Sequence, residues 1–214
     1  MQRISTRELV LYALFVGMIF LLGLTPLGFI TLPIAAITTV HIPVIVGGYR
    51  FGVKGGALLG FFFGLTSLIS CFTRPDAIAA IVLGTNTGFG IYNLLLILLV
   101  LFLPRVLTGV FSALTYGALR TKNELLAMGI AAFVGSMTNT VLLLGSLYVF
   151  AFQQTAAVFG LSAGFTAVQF LNILLGIVAL NGLLEAAAAV ILCTAIGRAL
   201  LHFEKNSPEP RQGR

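Results

Sequence analysis

Long apolar runs make up most of this chain, and short polar or turn-forming groups punctuate them. A helix that crosses a bilayer needs roughly 20 mostly apolar residues. Residues 9–24 meet that need and stop at Thr25-Pro26. Residues 26–39 are apolar too, but Gly28 and Pro33 break them, so they do not read as an ordinary crossing. Residues 40–49 carry Pro43 near their start and stop at Arg50; with the residues before them, 34–49 predicts a thin, irregular second helix. Residues 53–72 predict a clean, glycine-rich third helix, ended by Thr73-Arg74-Pro75-Asp76. Residues 77–103 mix a short apolar piece, the turn-rich GTNTGFG and the strongly apolar IYNLLLILLVLFL. Pro104-Arg105 then opens a run that ends at Arg120. Either 91–119 is one helix kinked at Pro104, or the fourth crossing starts at Pro104 as a first-turn proline. The second reading is preferred, because it places Arg105 at a membrane surface. Residues 125–152 and 168–201 predict two more crossings, joined by a small-residue linker at 153–166. The pattern therefore predicts an all-α bundle of six transmembrane helices, one domain over 1–203, with a disordered polar tail at 204–214.

Composition narrows the class. Charged residues make up 8% of the 214 positions and hydrophobic ones 59%. Soluble domains run near a quarter charged. A soluble enzyme, a nucleic-acid-binding domain and a disordered chain are excluded, and nucleic acid is not an expected partner. With the N-terminus inside, Arg3, Arg7, Arg50, Lys54, Arg120, Lys122, Arg198, Lys205, Arg211 and Arg214 are cytoplasmic, and only Arg74 and Arg105 are outside. That split follows the positive-inside rule, so both termini are expected in the cytoplasm of a cell with the chain in its plasma membrane, prokaryotic by preference. The basic, apolar start lacks a small-residue cleavage pattern and reads as a retained helix. Cys71 and Cys193 sit in apolar stretches without disulfide or metal-ligand spacing.

Several polar or small-residue constellations stand out. Gly52, Gly56, Gly60 and Gly64 recur every four residues. Such a stripe lets a second backbone approach closely, either a helix of the same chain or a docking subunit. Ala13 and Gly17 form a similar pair in the first helix. Asn139, with Ser136, Thr138 and Thr140 around it, lies about 25 Å above Lys122 at 1.5 Å per residue, in the outer half of the bilayer. It reads as a solute-facing wall or as a bond to a neighbouring helix. Gln169 and Asn172 lie near the outer end of the last helix, and His41 begins the irregular second one. Asn181 and Glu185 are deeper and one turn apart; they read as a bond to a partner helix or as a functional carboxyl. Arg105 is the better candidate of the two outer cations to hold a solute carboxylate, with two hydrogen bonds from its fork. Arg74 reads as an ion pair with Asp76. The chain contains no G-x-x-x-x-G-K-[ST], H-E-x-x-H or G-x-S-x-G pattern, so no catalytic or metal site is expected.

The stretch ITTVHIPVIVGGYRFGVKGGALLGFFFGLTSLI resembles the second and third helices of substrate-binding S components of energy-coupling factor (ECF) vitamin transporters. LPRVLTGVFSALTYGAL and GSMTNTVLLLG resemble the fourth and fifth helices of that family, and the likeness runs over roughly residues 5–202. The resemblance implies a non-enzymatic subunit that binds one water-soluble vitamin near the outer surface. It implies partners, a transmembrane T component and two ATPase subunits, which use ATP while this chain itself carries no cofactor. It also implies that the broken segment 26–39 gates the site, and that Ala13-Leu-Phe-Val-Gly17 stands where the family has an Ala-x-x-x-Ala docking motif. The TVHIPVI stretch resembles the pantothenate-specific type. The solute site is then expected to hold His41, Arg105, Asn139, Gln169 and Asn172. Two rival readings are a self-sufficient secondary transporter with Glu185 as proton relay, and a membrane assembly protein whose polar residues only join helices. Six crossings without an inverted repeat argue against the former.

Overall fold

The computed structural model describes residues 5–31, 36–84, 90–158 and 166–206. α1 (Thr6–Leu24) starts at Ser5, whose hydroxyl accepts from the Glu8 amide while Glu8 returns to the Ser5 amide. This capping box satisfies two amides that a helix start would otherwise leave open. A single turn at Pro26–Gly28 leads into β1 (Phe29–Thr31), which pairs antiparallel with β2 (Ala36–Thr38). α2 (His41–Thr73) follows, then α3 (Ala77–Leu83), capped by the Asp76 carboxylate on the Ala79 amide. α4 (Ile91–Leu96), a π-helical segment Ile97–Phe102 and α5 (Leu103–Leu119) run on as one helix. α6 (Glu124–Phe150) starts at Asn123, whose side chain accepts from the Leu126 amide. α7 (Phe152–Val158) is short; α8 (Ala167–Ile177), a second π segment Val178–Gly182 and α9 (Leu183–Asn206) close the described chain.

Among the described residues five helices are long and apolar enough to cross a membrane: Thr6–Leu24, His41–Thr73, Ile91–Leu119, Glu124–Phe150 and Ala167–Leu200. Six crossing helices were expected; the second of these five, α2, is broken within its length. Gly52 sits at φ 69°, ψ −165°, a conformation that a side chain disfavours. A Cβ at Gly47 would collide with the Leu59 side chain. On a straight helix those residues would stand about 18 Å apart. The chain therefore doubles back at Gly52, and α2 is two antiparallel arms, 41–51 and 53–73. The first arm is short, but the expected helix over 34–49 is corrected: residues 36–38 form β2, the helix starts at His41, and residues 41–49 are all buried.

The glycine stripe on the second arm is an internal seam. A Cβ at Gly56 would strike the carbonyl of Gly109, and one at Gly60 would strike the carbonyl of Arg105. At Gly64 it would lie 2.8 Å from the Phe102 ring. The expectation that Gly56, Gly60 and Gly64 dock a partner is corrected: α5 already covers them, and Gly52 serves the turn. Ala13 and Gly17 differ, since both are exposed and nothing lies within 4 Å of a Cβ at Gly17. Large apolar side chains such as Leu9, Leu14, Ile91, Leu98, Val149 and Ile191 also face outward, as a lipid environment requires.

Three more expectations change. Pro104 does not begin a helix; it lies inside the run Ile91–Leu119, so Arg105 is mid-helix. The residues read as a 153–166 linker are helical up to Val158, with 159–165 outside the described residues. Residues 204–206 of the expected tail continue α9, and 207–214 lie outside the described residues. Gly60→Leu is expected to destabilise the chain by about 1–3 kcal/mol or more, because backbone must move to admit the side chain. Gly17→Leu should leave the melting temperature of the detergent-purified protein unchanged. Thermal unfolding of both variants checks the contrast, and equal melting would refute the seam.

Candidate functional site

Proline has no amide proton, so Pro104 leaves the Val100 carbonyl without its regular helical donor. The chain answers this twice. The helix widens into the π segment before the proline, where the Leu103 amide reaches the Leu98 carbonyl. The Arg105 guanidinium then folds back and donates from Nη1 to the Val100 carbonyl. Arg105 is 7% exposed, its guanidinium lies 5.5 Å from the Phe63 ring centre, and its buried Nε has no partner. A cation held this way sits inside the bundle with hydrogen-bonding capacity to spare.

Arg105 is also part of the wall of a cavity of about 240 Å³. The second arm of α2 supplies Phe63, Ser67, Ser70 and Cys71 to its wall, and Arg74 and Asp76 follow at the turn into α3. Leu101 and Arg105 come from the π-broken helix, Asn139 and Thr140 from α6, Asn181 and Glu185 from the last helix, and Thr38 from β2. Two formal cations and two formal anions thus line one cavity. Asn139 is buried on the same face of α6 as Ser136, and its Oδ1 has no partner. Thr138 instead returns its hydroxyl to the Val134 carbonyl at 2.7 Å. Glu185 Oε1 accepts from the Thr38 amide at 2.8 Å. Arg74 Nη2 donates to the Gly23 carbonyl at 2.9 Å, tying the end of α1 to the cavity rim.

Of the five expected solute contacts, the structure brings Arg105 and Asn139 together in this wall. His41 lies outside it, fully buried at the head of α2 with both ring nitrogens unpartnered. Gln169 and Asn172 also lie outside the wall. Phe170 and Leu174 take the inner face of α8, with Phe170 stacked on Tyr148, and this turns Gln169 and Asn172 outward. The Gln169 side chain caps α8, accepting from the Thr166 amide at 2.9 Å. Asn181 and Glu185 were visible as a polar pair in an apolar helix; the π segment and the cavity give them a shared wall. Thr38 carried no sequence signal, because its contribution depends on the hairpin.

Because Asn139 Oδ1 bonds nothing, Asn139→Leu removes an unsatisfied acceptor that costs about 1–3 kcal/mol where it stands. Its melting temperature is expected to equal or exceed that of the parent, while solute affinity falls roughly tenfold. A stability loss without an affinity loss would make Asn139 a packing residue.

Comparison with known proteins accords with a cavity of this kind in an apolar bundle. A family model described as ECF transporter, substrate-specific component, matches residues 7–197. The pantothenic acid transporter PanT of Lactococcus lactis subsp. cremoris is 37% identical over 179 residues, which covers 79% of this chain and 80% of that protein. The pantothenate transporter PanT of Leuconostoc mesenteroides subsp. mesenteroides is 27% identical over 214 residues, 94% of this chain and 95% of that one. These are transporters, and with a family model that reaches all five crossing-length helices, this chain belongs to the ECF transporter substrate-specific components.

Proposed function

We propose that this chain captures pantothenate from outside a bacterial cell and passes it inward with the help of partner subunits. The observation that carries the reading is the buried Arg105, whose Nε is unpartnered in a cavity wall that also holds the unpartnered Asn139 Oδ1. A buried cation in a membrane bundle is costly, and it persists where it faces a cavity or an anion. Pantothenate offers a carboxylate for Arg105, an amide for Asn139 and Asn181, and hydroxyl groups for the remaining polar wall. The two relatives named as pantothenate transporters support the same solute.

The same reading takes the two arms of α2 as separate crossings, giving six, with both termini cytoplasmic as the charge split favours. The short first arm, about 16 Å long at 1.5 Å per residue, spans only with help from the hairpin above it. Family membership supports a T component and two ATPase subunits as partners, which spend the ATP; the chain has no P-loop pattern of its own. The open face of α1 around Ala13 and Gly17 is the proposed docking surface for the T component.

Arg105→Gln should weaken pantothenate binding about tenfold to a hundredfold, the worth of one charged hydrogen bond, and weaken binding of the alcohol analogue pantothenol far less. Isothermal titration with both compounds decides this, and equal weakening would remove the charge-reading role. Gly17→Leu should lower the yield of the complex with the T component and ATPases while the isolated chain binds pantothenate normally. Full assembly by that variant would move the docking face elsewhere.

A further inference from the structure

A hydrogen bond from β2 to the cavity wall has a geometry that follows from strand register. The Thr39 amide donates to the Gly28 carbonyl at 2.9 Å, and Phe29 pairs with Thr38 next to it. In an antiparallel ladder bonded and non-bonded pairs alternate. Gly28–Thr39 is bonded, so Phe29–Thr38 is not, and the Thr38 amide points away from β1. Along that free edge a buried amide needs an acceptor. Glu185 Oε1 supplies the acceptor at 2.8 Å. Glu185 is itself buried, on α9, the helix against which β2 packs. Both ends of the bond, Thr38 and Glu185, line the cavity.

We propose that Glu185 is a positioning residue that latches β2 to α9 through Thr38, so that solute entry and exit require this latch to open. The proposal rests on the cavity being the solute site, but the latch itself can be measured without any solute. One carboxylate oxygen of Glu185 is committed to the backbone of β2, so the residue acts through Thr38 and not by charge alone. A neutral acceptor of the same shape should therefore serve as well.

The test is hydrogen exchange in the full, solute-free chain in detergent, read at the Thr38 amide that makes the bond, or at the Thr39 amide where residue 38 is proline. Glu185→Gln keeps an acceptor and should exchange like the parent. Glu185→Met removes it and should exchange roughly tenfold faster or more. Parent-like protection in Glu185→Met, or equal acceleration in both variants, overturns the latch. If Glu185→Met does not fold, Thr38→Pro decides, since it deletes the donor and leaves the carboxylate; acceleration supports the latch and parent-like exchange overturns it. A purely structural role would not produce the second signature: Glu185→Met should raise the association and dissociation rates of pantothenate together, with a smaller change in Kd. Unchanged rates would overturn the latch as an entry step. Should the parent chain bind no pantothenate, the solute assignment fails, and the exchange rates still decide the latch.

Discussion

The close approach of α2 to α5 is the constraint on which the rest of the bundle depends. At Gly56 and Gly60 the helices meet backbone to backbone, with the carbonyls of Gly109 and Arg105 where side chains would otherwise stand. Helix association in lipid draws on packing more than on the hydrophobic effect, so such a seam holds the helices together directly. It also sets where Arg105 begins: with its own carbonyl pressed on Gly60, its guanidinium is directed along the helix toward Val100 and Phe63.

Two of the helices that line the cavity carry a π-helical segment. Ile97–Phe102 precedes Arg105, and Val178–Gly182 contains Asn181 and precedes Glu185. A π segment inserts one extra residue into a turn and rotates everything beyond it relative to what came before. In the first segment the cause is local, since Pro104 removes a donor. For the second, the chain shows the geometry without a proline to explain it.

Much of this was legible in the pattern of apolar residues: the boundaries of α1, the second arm of α2, α6 and the last helix, the brevity of the first arm, and the polar interest of Asn139 and Arg105. What the pattern could not carry has a common physical origin. Pro104 looks like a helix start because the compensation for its missing amide comes from a wider turn and a side chain, neither of which has a periodicity. The glycine stripe shows that something approaches closely, but not whether the visitor belongs to the same chain. Gln169 and Asn172 look inward by position, and the packing of Phe170 on Tyr148 decides otherwise. Thr38 enters the wall only because strand register points its amide outward.

The charges lining the cavity have an energetic consequence for transport. Arg74 and Arg105 balance Asp76 and Glu185, so the empty cavity carries no net formal charge. The proposed carboxylate solute would leave the loaded cavity one negative charge in excess. Carrying that charge inward across an inside-negative potential of 100 mV costs about 2.3 kcal/mol. On the proposed reading the electrical gradient would oppose uptake, and left to itself the loaded chain would favour release to the outside. A frame built this way accumulates its solute only when coupled to a source of work that exceeds the electrical term.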